Sequence, residues 1–152
     1  MTRGESRLLR AAHWAVALTG LAWAWMMCFA EPADPYSAVN HPWQPTMQAS
    51  HILAAPVLIL AVGLIWKPHV WSHFRAGMRN RRKTGILLAL LFLPMTASGY
   101  LLQVAVEESS RAIWSGTHLA ASVAWVGVWL MHRWARAHRW IQERNHRAVS
   151  GE

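Results

Sequence analysis

Apolar residues gather into four long runs, at about 11–30, 49–66, 84–106 and 113–132, and polar or charged residues gather between them. Each run approaches the ~20 residues a helix needs to cross hydrocarbon. The second is the shortest and is more credible packed in a bundle than alone. The first connection, about 31–48, carries Pro32, Pro35, Pro42 and Pro45 with Tyr36 and Trp43, which predicts an ordered, non-helical loop. The second, about 67–83, holds Lys67, Arg75, Arg79, Arg81, Arg82 and Lys83, and the short third holds Glu107, Glu108 and Arg111. The expected architecture is all-α: one membrane-embedded four-helix bundle over residues 1–152.

Charge orients the bundle. Fourteen of the fifteen Lys and Arg residues lie in the N-terminal tail, in the 67–83 connection or after residue 132, and Arg111 alone lies across the membrane from them. By the positive-inside rule, both termini and the 67–83 loop are cytoplasmic and the proline-rich loop is external. A net charge of +8 would otherwise suggest nucleic acid, but the basic residues avoid the apolar runs and sort by side, so lipid is the expected partner and nucleic acid is not. Six of the eleven tryptophans, Trp14, Trp66, Trp71, Trp114, Trp134 and Trp140, fall near the expected interfaces, where an amphipathic indole is favoured. The single cysteine, Cys28, excludes a disulfide framework and cysteine-built zinc or iron–sulfur sites. The first run also reads as a signal peptide, with Arg3, Arg7 and Arg10 before it and Cys28-Phe29-Ala30 at its end. Its length and its histidine favour a span.

Within this frame four histidines stand at the ends of apolar runs: His13, His51, His118 and His132. His118 and His132 share one run, fourteen residues apart, which returns to within about 40° of one helix face roughly 21 Å along the axis. Orientation puts His13 and His132 near the cytoplasmic side, and His51 and His118 near the outer side. Ionisable residues inside membranes are costly and tend to be functional. Two depth-matched pairs of imidazoles suit two stacked haems, because a porphyrin leaves its iron two axial positions and two neutral imidazoles make a low-spin electron-transfer centre. The expected cofactors are two non-covalent haem b groups, since no Cys-x-x-Cys-His attachment motif occurs. Polar residues bonding between helices are the bland alternative for any one of these histidines. His41, His69, His73, His138 and His146 read mostly as solvated, with His138 the chief competitor to His132.

Residues around the ligands fill in the picture. Gly20 returns to nearly the face of His13, and Ser98 and Gly99 follow Pro94, giving room for a flat macrocycle or for ordinary helix packing. Trp125 and Trp129 lie near the ligand face of the fourth run, placed either between cofactors or toward lipid. Arg10, Arg133 and Arg136 inside, and Arg111, Ser115 and Thr117 outside, are candidate propionate partners; lipid headgroups compete for the inner arginines. Asn80, Lys83 and His138 are candidate hydrogen-bond donors to a quinone carbonyl.

The chain resembles the four-helix di-haem b-type cytochromes, which include formate dehydrogenase gamma subunits, hydrogenase b-type cytochrome subunits and bacterial stand-alone cytochromes b. The resemblance covers about residues 7–140 and rests on Arg-Leu-Leu-Arg-Ala-Ala-His-Trp at 7–14, on His51, on Leu93-Pro94 followed by Ser98-Gly99-Tyr100, and on His118 with His132. It implies a bacterial inner-membrane protein in which His51 and His118 hold an outer haem facing a periplasmic redox protein. His13 and His132 would hold an inner haem near a quinone site. The expected function is electron transfer between membrane quinone and that partner, as the anchor subunit of an oxidoreductase complex. A self-contained superoxide-oxidising, quinone-reducing cytochrome and a haem-free structural or assembly protein are the alternatives. No paired carboxylates, nucleophile with base or phosphate-binding glycine loop points to chemistry without a redox cofactor.

Overall fold

The computed structural model describes residues 2–32, 34–76 and 82–150, with side chains described as far as residue 134. Among the described residues every regular element is helical. The chain divides into two compact units, Met1–Ala76 and Gly77–Glu152.

The first unit is a helical hairpin. Helix α1, Arg3–Phe29, starts earlier than its apolar run because Thr2 and Glu5 form a reciprocal capping box. It ends at Ala30, just ahead of Glu31-Pro32. In the connection, the Asn40 side-chain amide donates to the Met27 carbonyl at 3.1 Å, satisfying one of the acceptors that a helix end leaves open. Helix α2, Gln44–Ile65, begins with Pro45 in its first turn, where the missing N–H is no loss. It then runs back along α1.

The chain does not leave the helix after α2. It continues through a π-helical segment, Trp66–Trp71, into a short helix α3, Ser72–Arg75. The sequence reading placed a basic connection here, and Pro68 within it removes an N–H and crowds the carbonyl four residues back. Widening the turn relieves that crowding, and the Ser72 hydroxyl donates to the Pro68 carbonyl at 2.8 Å. The basic stretch expected between spans therefore starts as helix. Arg79 and Arg81 lie outside the described residues.

The second unit pairs α4, Arg82–Val104, with α5, Glu108–Ser150. Arg111 closes the turn between them by donating from Nη1 to the Ala105 carbonyl at 3.1 Å. Trp125 is buried between the two helices, its indole N–H donating to the Leu88 carbonyl at 3.1 Å. Trp125 and the buried Trp129 therefore belong to the protein interior and not to a lipid-facing surface. Helix α5 outruns its predicted span at both ends, and its backbone stays helical through the basic C-terminal stretch.

Among the described residues three helical stretches are long and apolar enough to cross a membrane: Arg3–Phe29, Gln44–Arg75 and Arg82–Val104. Helix α5 has the length, but its apolar stretch carries His118, His132, Trp114, Trp125 and Trp129, which dilute its hydropathy. Beside the two tryptophans, the interior holds Ala12, Ala17, Ala61 and Ala121 with Met26, Leu58, Ile65 and Met95. Mid-helix Leu53 and Leu93 are instead 75% and 65% exposed, and Leu18, Leu60 and Leu90 are exposed as well. Apolar surface of that extent along whole helices suits hydrocarbon rather than water. Alkaline carbonate should accordingly leave the chain in the membrane pellet, whereas release into the supernatant would show that these helices do not insert.

Candidate cofactor-ligand histidines

Three histidines are held by one recurring device. His51 on α2 packs on Gly20 of α1 so closely that a Cβ added there would lie 2.7 Å from Cε1 and 2.9 Å from Nδ1. His118 on α5 packs on Gly99 of α4, where an added Cβ would lie 3.1 Å from Cε1 and 3.3 Å from Nδ1. His132, further along α5, faces Gly85 at a looser 3.7 Å. A hydroxyl residue precedes each glycine: Thr19, Ser98 and Thr84.

Hydrogen bonds then orient the rings. Nδ1 of His51 lies 3.0 Å from the Val16 carbonyl and 3.4 Å from the Thr19 hydroxyl oxygen. Nδ1 of His118 lies 2.9 Å from the Met95 carbonyl and 3.3 Å from the Ser98 hydroxyl oxygen. A carbonyl only accepts, so in both rings Nδ1 carries the proton and the neutral imidazole keeps its lone pair on Nε2. The two hydroxyls turn the same way. Thr19 donates to the Ala15 carbonyl and Ser98 to the Pro94 carbonyl, each at 2.6 Å, which leaves their oxygens facing the imidazole as acceptors. Back-bonding of this kind is available to Ser and Thr inside helices. At His132 the contact to Nδ1 comes from the Thr84 hydroxyl, at 2.9 Å.

A histidine whose Nδ1–H is held by a carbonyl has its tautomer and ring direction fixed, the usual arrangement around metal-bound imidazole. His13, on α1, is 1% exposed and meets Trp14 edge-on at 5.4 Å between ring centroids. Among the described residues no three or more His, Cys, Asp or Glu side chains gather to form a metal site. An iron already held by a porphyrin needs only two protein ligands, so that observation bears on zinc-like sites and not on haem.

The other sequence candidates separate by role. Arg10 turns back on its own helix, Nε donating to the Ser6 carbonyl at 3.1 Å. Arg111 is used in the α4–α5 turn, and the Arg133 guanidinium lies 5.0 Å over the Trp129 ring. Thr117 bonds the Ile113 carbonyl of α5. Lys83 is exposed at the start of α4, while Asn80 and the side chains of Arg136 and His138 lie outside the described residues. Sequence reasoning noticed Gly20 and Ser98-Gly99 as space for a macrocycle; here that space is taken by the imidazoles themselves. It missed Thr19 and Thr84. The available signal was the spacing: Thr84-Gly85 and Ser98-Gly99 repeat at the same fourteen residues as His118 and His132.

No family model, no curated protein and no solved structure matches the chain.

The close approaches make a graded prediction. Alanine at Gly20 or Gly99 overpacks the imidazole, which should lower stability in detergent by about 1–3 kcal/mol. Gly20→Ala should be the more severe, since its Cβ meets the ring sooner. Gly63, Gly116 and Gly127 have nothing within 4 Å of an added Cβ, so alanine there should be neutral or gain up to about 1 kcal/mol of helix propensity. Equal effects at all five positions in thermal unfolding would contradict the packing described.

Proposed function

We propose that this chain is a di-haem b-type membrane cytochrome of the bacterial inner membrane. It would carry electrons between the quinone pool and a periplasmic redox partner, as the membrane subunit of an oxidoreductase. His51 and His118 are the axial ligands of one haem, and His13 and His132 those of the other. The observation that carries the reading is the anchoring of His51 and His118. Both are fixed as Nδ1–H tautomers by main-chain carbonyls inside apolar helices, which reserves Nε2 as a donor atom.

Haem bound in this way supplies a one-electron couple and little affinity for small ligands. The protein's part is to hold two imidazoles at fixed angles and to keep water away. Ala12, Ala17 and Ala61, with Gly20 and Gly99, leave little bulk between helices, which favours close approach. The fourth span belongs to the same proposal. Helix α5 crosses the membrane with His118 and His132 about 21 Å apart along its axis, one toward each surface. Basic residues at the two tails and in the 67–83 stretch set the termini in the cytoplasm. The quinone then binds on the inner side, where Lys83 is exposed and Asn80 and His138 are further candidates.

Purified from membranes, the chain should carry two acid–acetone-extractable haems and give a b-type reduced-minus-oxidised spectrum. His51→Ala and His118→Ala should remove the same haem, and His13→Ala and His132→Ala the other. A stoichiometry of one or none, or loss of a haem in His138→Ala but not in His132→Ala, would overturn the assignment.

A further inference from the structure

We infer that the indole N–H of Trp23 donates to a carboxylate of the haem held by His51, which makes Trp23 part of that cofactor's binding site; the inference rests on the proposed di-haem reading. Its basis is a donor that the protein itself does not answer. The Trp23 side chain is half-buried, and its Nε1 is shut off from solvent with no hydrogen-bond partner among the described residues. An indole nitrogen can only donate, and when buried it usually finds an acceptor. Trp125 in the second unit does so, donating to the Leu88 carbonyl at 3.1 Å. A buried donor left unanswered is costly, so its place in a native structure calls for a reason.

Position and chemistry name the acceptor. Trp23 follows Thr19 and Gly20 by four and three residues, so it stands one turn further along the face of α1 that receives His51. Its ring centroid lies 6.1 Å from that of His51, with the planes tilted by 51°. The acceptors on this face already serve the histidine: the Val16 carbonyl lies 3.0 Å from Nδ1 and the Thr19 hydroxyl oxygen 3.4 Å. Neither α1 beyond Glu5 nor α2 contains an acidic residue. The acceptor therefore comes with a ligand, beside the imidazole whose Nε2 is kept for iron. A haem b brings two propionate carboxylates to such a place. An N–H bond to a carboxylate is charge-assisted and roughly twice as strong as a neutral one, and an anion among apolar helices needs such a partner. Arg111, the outer propionate partner expected from the sequence, is committed at Nη1 to the Ala105 carbonyl.

Resonance Raman spectroscopy of the full haem-loaded chain in detergent, excited in the Soret band, tests this. Its readout is the propionate bending mode, whose frequency rises with hydrogen bonding at the carboxylate. The signal of this haem is the one lost in His51→Ala and kept in His132→Ala. Trp23→Phe keeps an aromatic ring and removes the N–H. It should lower the propionate frequency of that haem and leave the other haem unchanged. It should also speed transfer of that haem to excess apomyoglobin about tenfold, which corresponds to about 1.4 kcal/mol. A tryptophan that only packs would alter haem retention without moving the propionate mode. Trp23→Leu removes the same N–H and is read identically if the phenylalanine variant is poorly assembled. An unmoved propionate mode in both variants, as when water or lipid takes the N–H, or an equal shift at both haems, would overturn the inference and leave the di-haem reading intact. A wild-type chain without haem would overturn that reading, and this inference with it.

Discussion

An imidazole inside an apolar helix pair can stay only if its ring is admitted and its polar atoms are answered. An unanswered polar group in such surroundings costs several kcal/mol. Both demands are met on one helix turn. Glycine removes the Cβ that would meet the ring, and the carbonyl four residues earlier takes the Nδ1 proton, as Val16 does for Gly20 and Met95 for Gly99. The hydroxyl between them is spent on its own helix, so it adds a second acceptor without offering a competing donor. Ring position, tautomer and helix separation thus follow from a single local arrangement. No loop is needed to make it.

The prolines show the same economy of backbone. Pro56 lies inside α2 and Pro94 inside α4 without ending either helix. Such interruptions are tolerated in membrane helices where side chains answer the freed groups. The Pro94 carbonyl accepts from Ser98, which joins the proline directly to the anchoring of His118. Pro68 has the larger effect, since the helix widens to a π segment there and carries Trp66 and Trp71 onward with it. A helix breaker near a membrane boundary has here produced a change of pitch.

What was legible in the sequence follows from which forces are local. The apolar runs located the cores of α1, α2 and α4, because hydropathy is additive along a chain. Helix ends were read less well. The capping box of Thr2 and Glu5 moves the start of α1 outward, and the helix through Pro68 turns an expected loop into structure. The four histidines stood out because ionisable groups are rare in such runs. Their supports did not stand out, since threonine, serine and glycine are ordinary in membrane helices and acquire meaning only opposite a ring. Arg111 was similarly ambiguous: a cation just after two carboxylates in a short connection reads as a ligand for an anion, yet its guanidinium answers the end of α4.

The two units solve the anchoring problem with one register. Val16, Thr19 and Gly20 stand in the same relation to His51 as Met95, Ser98 and Gly99 do to His118, down to the donation from each hydroxyl to the carbonyl four residues back. Carrying that register along the helices puts Ile65 where the second unit has His132, and Phe92 where the first has His13. So His51 and His118 are equivalent residues, while His13 and His132 have no counterparts. Equivalent histidines have equivalent supports, a carbonyl and a hydroxyl oxygen at each Nδ1. The other two stand in unlike surroundings: a buried His13 against Trp14 in the first unit, and His132 beside Thr84 and Gly85 in the second. The local register alone thus decides which histidines share a form of anchoring.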